Sequence, residues 1–174
     1  MAATDAAAPT GERADLLAAL DKHRGFLRYT VRDLTDDQAR ERTTASELCL
    51  GGLIKHVAGV EQRWLRFAVG GAEAMRADGS PQDSAWGDQF RMLEDETLPG
   101  LLERYRQVSD HTDQLVATTL DLDQLQELPR SPWFEPGATW SVRRVLLHVI
   151  AETAQHAGHA DIIRESLDGQ KTMG

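Results

Sequence analysis

Residues 141–167 read Ser-Val-Arg-Arg-Val-Leu-Leu-His-Val-Ile-Ala-Glu-Thr-Ala-Gln-His-Ala-Gly-His-Ala-Asp-Ile-Ile-Arg-Glu-Ser-Leu. Apolar residues recur here at helical spacing, and Asp168-Gly169 supplies a stop, so the stretch predicts one long amphipathic helix from about Ser141 to about Leu167. At roughly 100° per residue, His148, Glu152, His156 and His159 project within about 80° of one another. Three imidazoles and a carboxylate thus share one stripe, and these are side chains that ligate zinc and related divalent ions.

Further helices are predicted on the same grounds. The first runs from about Glu12 to Asp33, with Leu16, Leu20, His23 and Leu27 on one face. Thr35-Asp-Asp-Gln-Ala-Arg reads as a short capped turn of helix, and residues 41–49 read as irregular. Gly51 and Gly52 loosen the start of a second long helix carrying Leu53, His56, Val60 and Trp64; Gly70-Gly71 is expected to stop it. Residues 70–90 read as a long loop. The next helix spans about Asp95 to Thr119, with Leu98, Leu101, Leu102, Tyr105, Val108, Thr112, Leu115 and Val116 as its buried stripe. Prolines 129, 132 and 136 with Gly137 break the segment from Asp121 to Thr139. Four long helices with long connecting loops predict an all-α four-helix bundle. A disordered leader over residues 1–11 and a single helical domain over 12–174 follow from the Ala-rich N-terminus and the length.

The 174 residues are 41% hydrophobic and 27% charged, with a net charge of −9. That is a soluble globular composition, and its acidity argues against nucleic acid or an anionic membrane as partner. No apolar run approaches the roughly 18 residues of a membrane span. A single cysteine, Cys49, excludes an intrachain disulfide and fits a cytoplasmic, reducing setting. Cys49 reads more simply as a small buried residue than as a catalytic thiol.

Glu152 falls between apolar turns, where a carboxylate is costly unless it is paired or bound to a metal. Glu152 and His156, four residues apart, can reach one ion, and His56 from a facing helix would complete a His₂Glu set with an open position. The alternative pairs Glu152 with Arg63 or Arg66 and leaves the histidines exposed or capping carbonyls. His148 stands about 12 Å along the axis from His156, too far to share its ion easily, and reads as pocket lining or support. His159 can be a fourth ligand, a proton shuttle or a supporting group. Asp161 reads as solvated or paired with Arg164. Gly158 inside the helix suggests close approach of another helix. The four tryptophans read as core or loop anchors, with Trp86 and Trp133 candidates for a pocket mouth.

The segments Gly52-Leu-Ile-Lys-His56-Val-Ala-Gly-Val-Glu-Gln-Arg-Trp64 and Trp140 to Glu165 resemble the DinB-like metal-binding superfamily, in its actinobacterial mycothiol S-transferase-like branch. The resemblance covers nearly the whole chain after about residue 12. In that superfamily a histidine of the second helix joins an i, i+4 histidine pair on the last helix. By position this implies His56, Glu152 and His156 as metal ligands, with glutamate replacing the first histidine of the pair, a variant also found in the branch of mycothiol-dependent maleylpyruvate isomerase. It further implies a DinB-type bundle, often a homodimer, and a metal-dependent thiol S-transferase acting on a small-molecule thiol, mycothiol, and an electrophile. His148 or His159 would move the released proton. Zinc is the favoured cation, with nickel, iron and manganese as other choices. Isomerase or hydrolase chemistry on the same ligands, and a non-catalytic stress-related metal-binding protein, are the competing readings.

Overall fold

Polar caps mark where the helices begin. Ser141 accepts a hydrogen bond from the Arg144 amide at 3.1 Å and starts α5, Val142–Asp168. Thr97 does the same for Gly100 at the head of α4, Leu98–Thr118. Thr35 and Gln38 form a reciprocal capping box on the five-residue α2, Asp36–Arg40. These assignments belong to a computed structural model, which describes residues 9–76 and 88–172. The other long helices are α1, Glu12–Thr30, and α3, Leu50–Arg76.

The four long helices form the predicted all-α bundle. α5 packs along α1 and α3, and α4 lies against α3 and α1. The apolar face of α3 joins one core cluster through Ala58 and a second from Val60 onward; that of α5 joins the second cluster through Val149 and the first from Ala157 onward. The two helices therefore run antiparallel, and His56, Glu152 and His156 fall near the changeover between the clusters.

Arginines fasten the ends. Arg13 donates to the Val116 and Leu120 carbonyls, both at 2.6 Å, and so caps α4 from α1. Arg164 donates to the Thr30 and Arg32 carbonyls at 2.7 and 2.8 Å, satisfying acceptors that the end of α1 leaves open. Arg164 pairs with Asp168, not with Asp161, whose carboxylate instead accepts from the Thr172 amide. Midway along α1, it is Arg24 that is buried, not the expected His23. Arg24 forms a two-bond pair with buried Glu61 of α3 and reaches Asp113 of α4. A buried arginine demands such a partner.

Gly71, at φ 73°, breaks the helical path of α3 where the stop was expected, and a further short helical stretch follows it to Arg76. Two further expectations are corrected. Residues 88–90 form a 3₁₀ turn within the segment read as loop. Between α4 and α5 a two-stranded antiparallel ribbon forms, β1 (Leu125–Glu127) against β2 (Thr139–Ser141), with Gln126 opposite Trp140. Trp86 and the leader's residues 1–8 lie outside the described residues. Among the described residues no helix is long and apolar enough to cross a membrane.

Candidate metal centre

α3 and α5 bring three of the expected residues together. The Glu152 Oε2 atom lies 4.0 Å from His56 Nε2 and 3.7 Å from His156 Nε2. One ligand atom from each of the three lies within 4.8 Å of the others. These gaps are too long for hydrogen bonds. They are close to the roughly 3.4 Å between two ligands of one tetrahedral ion with bonds of about 2.1 Å. Among the described residues Glu152 makes its ion-pair contacts with the two imidazoles, and Arg63 is not its partner.

Each ring is oriented by something different. His56 is buried and stacks on Phe90 of the 3₁₀ turn, with centroids 4.0 Å apart and planes 25° from parallel. Its Nδ1 has no hydrogen-bond partner. His156 meets His56 edge-on at 4.7 Å, and its Nδ1 lies 3.4 Å from Nδ1 of His159. His159 therefore stands behind His156, away from the three-residue set. His148 packs its edge against Trp64 at 4.8 Å and Trp140 at 5.3 Å, one turn from Glu152.

The electrostatics keep the imidazoles neutral. Burial pushes His56 down to about 3, aided by His156 and Arg63 and opposed by Gln89. Burial also lowers His156, against the opposing pull of Glu152. His148 is lowered for the same reason, with Glu152 again opposing. A neutral imidazole keeps the lone pair that a cation needs. Two histidines and a carboxylate fit a divalent ion, and they leave room for a fourth group.

That room is a cavity of about 440 Å³, lined at one end by His56 and Glu152 and along its walls by Trp64, Trp140, Phe134 and Trp133. The sequence reading took Trp64 and Trp140 for anchors and gave no place to Phe90 or Phe134. The spacing of Trp64 from His56, two turns along one helix, was the available signal for the first. Phe90 and Phe134 sit on turns whose position only the fold determines. The close approach expected at Gly158 is absent, since a Cβ there would meet nothing within 4 Å. It occurs instead at Gly52, where a Cβ would lie 1.9 Å from the Phe90 carbonyl oxygen. Cys49 is buried, with its Sγ 3.8 Å from that same carbonyl.

A family model described as Mycothiol-S-transferase matches residues 15–169. Comparison with curated proteins gives no match.

Proposed function

The chain belongs to the mycothiol S-transferase family, and from that premise we propose that it is a metal-dependent transferase joining a small-molecule thiol, mycothiol, to an electrophile. The observation that carries the reading is the set of three possible ligand atoms within 4.8 Å of one another, two of whose residues, His56 and Glu152, line a mainly apolar cavity. His56, Glu152 and His156 would hold the ion, and zinc suits this donor set. A bound divalent cation supplies positive charge that draws a nearby thiol below its usual pKa of about 8.5.

The chain's own residues do the rest. His148, neutral and lining the same cavity as Glu152, would take the thiol proton. The sulfur pair then forms the carbon–sulfur bond. The leaving group departs with its bonding pair and receives that proton from His148 or from solvent. His159 orients His156 rather than meeting substrate. The aromatic walls exclude water from the nucleophile.

Elemental analysis of purified protein, paired with transfer from mycothiol to a simple alkylating electrophile, tests this. One divalent ion per chain, with transfer abolished in His156→Ala, is the expected result. Protein that holds and takes up no divalent ion, with His156→Ala unchanged, would retire it.

A further inference from the structure

The cavity beside the three ligands carries a chemical preference of its own. Trp64 and Trp140 stack at 4.9 Å, 15° from parallel, and Phe134 meets Trp140 edge-on at 5.8 Å. This aromatic wall is continuous with Trp133, which packs on Phe134 at 6.4 Å yet is 68% exposed. An indole so exposed at the rim of an apolar cavity loses water contact favourably when a flat ring covers it. Trp64 and Trp140 cover each other and Arg144 lies over Trp140 at 4.8 Å, so the indole left open to a flat ring is that of Trp133.

Arg63 and Ser131 are among the polar groups that interrupt the wall. Arg63, half-buried on α3, lines the cavity, and the ion pairs among the described residues give it no carboxylate partner. The Ser131 Oγ atom is buried in the same lining and has no hydrogen-bond partner. A half-buried guanidinium and an unsatisfied hydroxyl are both donors waiting for an acceptor, and a carboxylate on the ligand supplies it.

The geometry points to a planar aromatic carboxylate as the occupant of this cavity. Given the transferase reading of the same site, that molecule is the electrophile: an aryl compound whose ring packs on the exposed Trp133 and whose carboxylate pairs with Arg63.

Binding of unreactive probes to the metal-loaded protein tests the inference without thiol or turnover. In calorimetric titrations 2-naphthoate should bind at least about tenfold tighter than 2-naphthalenemethanol, which lacks the charge, and than cyclohexanecarboxylate, which lacks the ring. Arg63→Met should weaken naphthoate about tenfold and leave naphthalenemethanol unchanged, while Trp133→Ala should weaken both aryl probes. Equal binding of all three probes, no binding of naphthoate, or indifference of naphthoate to Arg63→Met overturns it. Naphthoate binding in a protein that transfers no thiol removes the transferase reading and keeps the pocket's specificity. Thiol transfer without naphthoate binding does the reverse.

Discussion

His156 can offer its Nε2 lone pair to a cation only when its proton sits on Nδ1, and His159 is the group that then accepts that proton's hydrogen bond. Removing the acceptor frees the ring to rotate and lets the wrong tautomer form. His159→Ala is therefore expected to lower zinc affinity by about 10- to 100-fold with the helical circular dichroism unchanged. Competition with a chromophoric chelator measures it; unaltered affinity would make the contact incidental. At this scale the proximity of Glu152 and His156 was legible, because a single helix fixes their angles whatever surrounds them. The separation of roles between His148 and His159 was not. It depends on which neighbour each ring meets, Trp64 and Trp140 for one and His156 for the other.

Between elements, the segment from the 3₁₀ turn to α4 is strapped onto α3 and α2. The Lys55 ammonium on α3 pairs with Glu96 at 2.8 Å and donates to the Arg91 carbonyl at 3.3 Å, while Arg40 donates to the Leu93 carbonyl at 3.2 Å. The strap holds Phe90 over His56, and Gly52 lets its backbone come close enough to do so. Two glycine substitutions should thus have opposite signs. Gly52→Ala drives a Cβ into the Phe90 carbonyl and is expected to cost about 1–3 kcal/mol and to weaken cation binding by displacing Phe90. Gly158→Ala meets open space on an exposed helical position and should stabilise by up to about 1 kcal/mol. Urea unfolding of the two variants decides it, and destabilisation by Gly158→Ala would be the failing outcome. Sequence reading reversed these two roles, since a glycine's use depends on what crosses it. The ribbon was illegible for a related reason: strands of three residues carry too little alternation to register.

For the whole molecule, the bundle was legible because four long amphipathic periods, the last closed by Asp168-Gly169, allow few other folds, whereas the charge buried within it was not. Arg24 lies where the first helix's apolar stripe runs, yet a charged side chain is assigned to solvent until Glu61 is seen across from it. The three neutral histidines have a global consequence. In metal-free protein, His56 titrates near 3 against about 6.5 when unfolded. Below about pH 6.5 the unfolded chain binds more protons, so stability rises with pH; it is fully present above that value and is lost as pH falls toward 3. His148 and His156, also lowered, act in the same direction. Chelator-treated protein should therefore melt lower at pH 5 than at pH 7.5, and His56→Phe should flatten that dependence. A divalent cation at a hundred times its Kd binds only the folded chain and adds about 2.7 kcal/mol, a rise in melting temperature of about 5–11 °C for a chain of this size. Protons compete for the same imidazoles, so the metal-induced rise should shrink between pH 7.5 and pH 5. Scanning calorimetry at the two pH values, with and without zinc, measures both slopes, and a metal-induced rise that is equal at the two would separate the cation from His56 and His156.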